Sequence, residues 1–403
     1  MSVKTVLISG AGIAGPTLAF WLKAAGFEPT IVERAPELRR GGYVIDFWGL
    51  GYDIAERMGL TREIDRAGYH MRELRIVNAH GERIAGFGTK VLIELTGGRY
   101  VMIERSALSH LLFEKIKDTT EIIFGNEIVA VQELADHVLI KLKHGTERRF
   151  DLVIGADGLH SAIRRLVFGR QDAFEKQLGY IVAAFEAGGY RPRNEDVYVA
   201  YNAPGRILSR VALHDDRTLF LFVITADVDM ALLDMSGQKA MLRDKFADRK
   251  WECERILDEL ARSKELYFDR VSQIKMDRWS RGRVALVGHA AFCVSLLAGQ
   301  GSALAMTAAF VLAGELSKAG GRHEQAFANY ERILRAYINV KQRGAERFAS
   351  AFAPKTWRGL FFRNQVIKVS GIPRIARLTF GRDIVDTLQL PTYRWPALEL
   401  RTS

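Results

Sequence analysis

The first chemistry legible in the chain is a glycine-rich turn, Gly10-Ala11-Gly12-Ile13-Ala14-Gly15. It lies between an apolar run, Thr5–Ser9, and a segment of helical character from Pro16 to Ala25 that Gly26 closes. In that setting Gly10 permits a tight turn, Gly12 lets a pyrophosphate approach the backbone, and Gly15 lets helix and strand pack closely. Phosphate would then meet the helix N-terminus around Ile13 and Ala14, where free N–H groups and the macrodipole favour negative charge. A second apolar run, Pro29–Glu33, ends in a carboxylate 18 residues after Gly15, placed to accept hydrogen bonds from ribose hydroxyls. Arg34 follows and is the residue type that meets a 2′-phosphate, but an acidic strand end argues for an unphosphorylated ribose.

Two later stretches carry the same kind of signal. Asp157-Gly158-Leu159-His160-Ser161-Ala162-Ile163-Arg164 follows a buried-strand run, Leu152–Ile154. Gly288-His289 follows another, Arg283–Val287, and Gly299-Gln300-Gly301-Ser302 opens a helix that continues to Glu315. Taken singly, Asp157 reads as a turn residue and Arg105 as a surface arginine.

The elements that must position these residues imply an α/β fold in which the nucleotide-binding strands are separated in sequence. Residues from about 176 to 275 alternate apolar and polar, as an antiparallel sheet with one covered face does. The expected division is a discontinuous Rossmann-like domain over 1–70, 100–175 and 276–320, with an inserted substrate domain over 71–99 and 176–275. A C-terminal helical region, 321–403, completes it, with Phe327, Tyr330, Leu334, Tyr337 and Lys341 at helical spacing.

Composition narrows the function classes. At 403 residues, with 48% hydrophobic and 26% charged residues, the chain can bury a large core in two domains. Its only cysteines, Cys253 and Cys293, have no metal-ligand spacing, which fits a reducing cytoplasm, and no signal peptide is evident at Met1-Ser2-Val3-Lys4. The 31 residues Val284–Gly314 lack Asp, Glu, Lys and Arg, but the Gly299-Gln300-Gly301 run would break a membrane helix, so a buried strand, turn and helix are expected. The net charge is +11, and residues 331–403 hold 14 basic against 5 acidic residues. From Arg347 to Arg382 there are eight basic residues and no acidic one. A solvated basic face, nucleotide phosphates, an acidic ligand or an anionic membrane could account for that. Trp357, Phe361 and Phe362 are bulky enough to favour docking of this segment on the catalytic body over membrane contact, and no nucleic-acid-binding motif accompanies the charge.

The glycine fingerprint, the Asp157–Arg164 element and the Gly288–Gly301 stretch together resemble the three flavin motifs of the group A FAD-dependent monooxygenases, the para-hydroxybenzoate hydroxylase-like class. Within it, Gly41-Gly42-Tyr43-Val44-Ile45-Asp46, Phe268–Trp279 and Leu297-Ala298-Gly299-Gln300-Gly301 resemble the tetracycline-inactivating monooxygenases and polyketide hydroxylases. The likeness runs to about residue 345. It implies FAD as cofactor and NADPH or NADH as reductant, with Arg105 contacting FAD, Asp46 near the flavin, and Arg39 contacting the nicotinamide cofactor. It implies that Asp157 and Arg164 brace the pyrophosphate region, and that the Gly299–Ser302 helix start faces the pyrimidine edge.

The departure is at His289, where the family has aspartate accepting from ribityl hydroxyls. A neutral imidazole offers one acceptor where a carboxylate offers about four sites. The loss is about 1–3 kcal/mol. Replacement of a ligand contact is a simpler reading of His289 than a catalytic base. The resemblance thus implies hydroxylation of an aromatic or polycyclic, polyketide- or tetracycline-like small molecule with NAD(P)H and O₂. Flavin C4a-hydroperoxide chemistry then needs no protein nucleophile or metal. Substrate is expected between the Val182–Thr225 sheet and the flavin, under Phe292. The alternative is a flavin-fold protein whose weakened FAD site leaves it as a binding protein or non-redox enzyme.

Overall fold

A computed structural model describes residues 4–399 except 40, 146, 227–232, 249, 373–374 and 376–385. Thr5–Ser9 sits inside a six-stranded sheet, parallel to Leu152–Gly155 on one side and to Glu28–Val32 on the other. Glu121–Ile123 continues the sheet at one edge, and Val284–Leu286 with antiparallel Ser280–Arg281 at the other. These strands read as unbroken apolar runs because both faces are covered. Val6, Leu7 and Ile8 are buried, as are Leu152, Val153 and Ile154. Glycine-rich, Asp-Gly and Gly-His turns therefore emerge at the same C-terminal edge of parallel strands, although they lie far apart in sequence.

The charge-free stretch resolves into Val284–Leu286, the four-residue helix His289–Phe292, a 3₁₀ turn over Leu296–Ala298, and the helix Gly301–Lys318. That last helix is apolar on every side because Ala14–Ala24, Leu50–Arg57 and His323–Phe352 pack around it. Among the described residues no helix is long and apolar enough to cross a membrane.

A seven-stranded sheet runs Tyr267–Ile274, Glu175–Gly188, Arg217–Thr225, Arg206–Ala212, Val197–Ala203, Glu73–Val77, Arg83–Gly88. It departs from expectation in two ways. Val197–Ala203 pairs in parallel with Glu73–Val77, so the sheet is mixed. Both of its faces are covered. Val197 and Val199 enter the core shared with the helices Met235–Lys245 and Cys253–Arg262, while Tyr198 packs on the other side with Leu221 and Tyr267. Alternation in these strands separates two cores, one of them carrying polar groups such as the Tyr198 hydroxyl, which pairs with Ser209 at 2.7 Å. A two-stranded ribbon, Val44–Trp48 with Tyr100–Glu104, lies between the two large sheets and carries Asp46 and the approach to Arg105.

The chain then runs through the 30-residue helix His323–Phe352 to a second helix, Trp357–Val369. This second helix docks on the protein through Leu360 and Ile367, at the Arg83–Gly88 edge. The aromatic residues expected to drive docking do not do so. Trp357, Phe361 and Phe362 point outward, 65%, 59% and 68% exposed. Part of the basic run, including Arg374, Arg377 and Arg382, lies outside the described residues.

Candidate active site

The three turns open onto one cleft of ≈ 990 Å³ between the two large sheets. At its deep end Gly10 has φ +105, and a Cβ there would lie 2.8 Å from the Ala156 carbonyl oxygen. A Cβ on Gly15 would overlap the Gly10 carbonyl oxygen, so this position has no room for a side chain. Gly12 differs, since a Cβ there would meet only the Arg105 guanidinium, at 3.5 Å. Its bareness leaves the cleft floor open beside a positive charge. Ile13 and Ala14 line the same floor, and no side chain caps the helix that begins there.

Glu33 reaches back into this loop. One carboxylate oxygen accepts from the Ala11 N–H at 2.8 Å and the other from Ala35 at 2.9 Å, and Arg34 and Arg39 line the cleft beside it. Arg105 begins the helix Arg105–Glu114 and is fixed by its own N–H donating to the Tyr43 carbonyl at 3.1 Å. Its guanidinium lies against Gly12, and its charge lowers the basicity of the His289 imidazole.

Asp157 and Arg164 are separated in role. The Asp157 carboxylate accepts from Ser161 Oγ at 2.5 Å and from the N–H groups of Ala162 and Ile163 at 2.8 and 3.1 Å, closing the start of the helix Ala162–Val167. Burial raises its pKa, and these hydrogen bonds oppose the shift. Arg164 is fully buried behind the cleft wall, donating to the Ala290 and Leu159 carbonyls at 2.8 and 2.5 Å and to Gln171 Oε1 at 3.0 Å. It ties the Asp-Gly turn to the His289–Phe292 helix, and Arg165 lines the cleft in its place.

At the other end His289 follows Gly288, whose φ is +63. The Nε2 edge of the imidazole abuts the start of the helix Gly301–Lys318, where a Cβ on Gly301 would overlap Nε2. Nε2 is buried and has no hydrogen-bond partner. Burial, then the nearby Arg105 charge, pushes the imidazole down to about 4. His289 is thus neutral at physiological pH and too weak a base to hold a catalytic proton there. Gly299, Gly301 and Ser302 line the cleft, while the Gln300 side chain is buried outside the lining.

One expected contact falls elsewhere. Phe292 is buried against Trp279, with ring centroids 4.6 Å apart, in the core of the six-stranded sheet and not over a ligand space. The Asp46 carboxylate accepts from the Tyr100 hydroxyl at 2.5 Å and faces Gly299 without lining the cleft, and burial raises its pKa. Residues assigned no role from the sequence take the place of Phe292. Tyr43 and Tyr267, ring centroids 5.2 Å apart, stand on the wall between the glycine loop and the seven-stranded sheet. His160 Nε2 meets Asp269 at 3.1 Å across the cleft mouth. Arg217 bridges Glu104 at 3.0 Å and Glu186 at 2.6 Å. Tyr43 and Asp269 sit inside stretches already notable for their resemblance, but nothing in their spacing marks them as wall residues, because their partners come from distant strands.

A family defined by an FAD-binding domain matches residues 4–339. A flavin-dependent monooxygenase of Legionella longbeachae serogroup 1 (strain NSW150) is 33% identical over 360 residues, spanning 87% of this chain and 90% of that protein. A flavin-dependent monooxygenase from an unknown prokaryotic organism is 34% identical over 349 residues, spanning 84% and 88%. The chain belongs to this FAD-binding family and is a flavin-dependent monooxygenase. The crystal structure of tetracycline destructase Tet(55) superposes on the monooxygenase with a TM-score of 0.83, at 30% identity, covering 97% of this chain and 99% of that one. Klebsiella pneumoniae HpxO complexed with FAD and uric acid shares the fold, with a TM-score of 0.80 at 22% identity, covering 96% and 98% of the two chains. FAD is therefore the cofactor.

Proposed function

We propose that the monooxygenase hydroxylates an aromatic or polycyclic small molecule, tetracycline- or polyketide-like in ring character, using NAD(P)H and O₂. The observation that carries this reading is that one cleft runs without interruption from the glycine loop to Tyr267 and Phe185 on the seven-stranded sheet. A dinucleotide cradle and an aromatic wall thus share one space. Bound FAD supplies the redox chemistry, by which two electrons from NAD(P)H and one O₂ give one oxygen atom to a ring C–H and one to water.

The residues present fit FAD. Gly12 leaves the backbone open beside Arg105, whose charge would meet the pyrophosphate. The Glu33 carboxylate keeps lone pairs beyond the two backbone bonds it accepts and would hold the adenosine ribose. His289, in the cleft lining, would stand beside the ribityl chain, and the N–H groups at Gly301 and Ser302 would lie at the ring edge, where a helix start favours negative charge. Arg39, at the rim, would meet the nicotinamide cofactor. Tyr43 and Tyr267 would orient a planar substrate and exclude water from the reacting carbon. Asp157 and Arg164 would act at one remove, holding the turn that carries them.

The test is NAD(P)H oxidation by purified, FAD-loaded protein over a panel of phenolic and polycyclic compounds, with oxygen uptake and product mass followed together. Substrate-stimulated oxidation with one added oxygen atom is expected for at least one planar phenolic class. A colourless protein unresponsive to added FAD would overturn the reading.

A further inference from the structure

The helix Trp357–Val369 has two unlike faces. The inner one is fully engaged. Leu360 is buried, Arg363 donates to the Phe352 carbonyl at 3.0 Å and to Asn202 Oδ1 at 3.3 Å, and just before the helix the Pro354 carbonyl accepts from the Gly205 N–H at 2.9 Å. The outer face presents Trp357, Phe361, Phe362, Val366 and Val369, all exposed. Single exposed apolar residues are ordinary, but five on one helix face, three of them aromatic, form a patch that marks an interaction surface. Arg358 and Lys368 lie exposed on the same arc, Lys355 precedes it, and no Asp or Glu occurs from Arg347 through Val369.

We propose that this face docks the enzyme on an anionic lipid surface. Apolar rings seated at the headgroup boundary, flanked by cations and free of acidic residues, are what interfacial binding to such a surface requires. The charge pattern argues against the other natural occupant, a second copy of the chain. A two-fold interface would bring the same patch to itself, setting its cations Arg358 and Lys368 opposite those of the second copy with no carboxylate on this stretch to offset them. The helix is already anchored by its inner face, so docking needs no rearrangement of the body.

The experiment uses the full-length, FAD-loaded protein with vesicles of phosphatidylcholine alone or of phosphatidylcholine mixed with phosphatidylglycerol. Co-sedimentation is expected only with the mixed vesicles, weakening as salt rises. Phe361→Ser combined with Phe362→Ser should reduce binding by about tenfold or more. Arg358→Ser and Lys368→Ser should each reduce it by roughly fivefold. None of these changes should shift the melting temperature, since the side chains removed touch the body little. A folded, monomeric parent protein that ignores anionic vesicles overturns the proposal. So does a parent that sediments as a dimer and is made monomeric by the phenylalanine changes, which would give the face to a second copy.

Discussion

The two ends of the cleft are built on different logic. At the glycine-loop end the protein satisfies itself. Glu33 accepts two backbone N–H groups, Asp157 accepts from a hydroxyl and two helix-start N–H groups, and Gly10 and Gly15 are glycine because neighbouring carbonyl oxygens leave no room for a Cβ. At the Gly288–Ser302 end the imidazole of His289 is pressed on Gly301 with Nε2 unpaired and its basicity suppressed to about 4. The first set of residues is required by the apo fold as much as by a ligand. The second carries polarity that the fold alone does not use. A motif can therefore be strict for two separate reasons, and substitution separates them.

Gly15→Ala should have the largest effect. The added methyl meets backbone, which cannot swing aside, so a loss of about 3 kcal/mol or failure to fold is expected, read as melting temperature without added FAD. His289 sets the next largest effect through pH. Its folded pKa of about 4 lies below the ordinary histidine value of 6.5, so the unfolded chain takes a proton that the folded chain refuses. Stability should fall as pH drops from about 6.5 toward 4, by on the order of 2–3 kcal/mol in all, and His289→Gln should flatten that slope in urea titrations.

In binding, His289→Asp should tighten FAD by about ten- to a hundredfold, because a carboxylate offers the acceptors that the imidazole lacks. Arg105→Met should weaken it by a similar factor. Combining the two changes sharpens the comparison. If the aspartate acts partly through the neighbouring arginine, its gain should shrink in the Arg105→Met background, whereas additive effects in flavin-fluorescence titrations would show the two contacts to be independent.

How legible the molecule was depends on how local the physics is. The parallel strands and the fingerprint turn are visible because burial on both faces writes unbroken apolar runs, and because a backbone close approach admits only glycine. The charge-free stretch resolved as expected for the same reason, a helix enclosed on all sides. Phe292 was misplaced because an apolar residue after Gly-His reads equally as ligand wall or as core, and its packing on Trp279 decides for core. That Arg164 acts through the carbonyls of Leu159 and Ala290 was not legible, because the second of these lies 126 positions away. The second covered face of the seven-stranded sheet was missed because Tyr198, Ser209 and Tyr267 there carry polar atoms among apolar neighbours and read as facing solvent. The outward aromatics of Trp357–Val369 were missed because bulk alone favours burial and the sequence does not say on which side.

The smallest expected effect lies at the cleft mouth, where His160 and Asp269 join the Asp-Gly turn to the strand Tyr267–Ile274. The hydrogen bond to Asp269 raises the His160 pKa, and burial opposes the shift. The sign is opposite to that of His289. A raised folded pKa contributes stability that is fully present below the unfolded value of about 6.5 and is lost as pH rises through the folded one. The magnitude is small because the His160 side chain is 59% exposed, so solvent screening leaves below about 0.5 kcal/mol. It is reduced further because Nδ1, 3.1 Å from the Gln171 amide nitrogen, must give up that contact when it gains a proton. Asp269→Asn should therefore move the His160 titration measured by NMR downward, toward the ordinary histidine value. The melting temperature at pH values above the folded titration, where the imidazole is neutral in both proteins, should stay nearly unchanged. An unchanged His160 titration in the variant would mean that Asp269 does not hold the proton and that the two walls of the mouth are joined by packing alone.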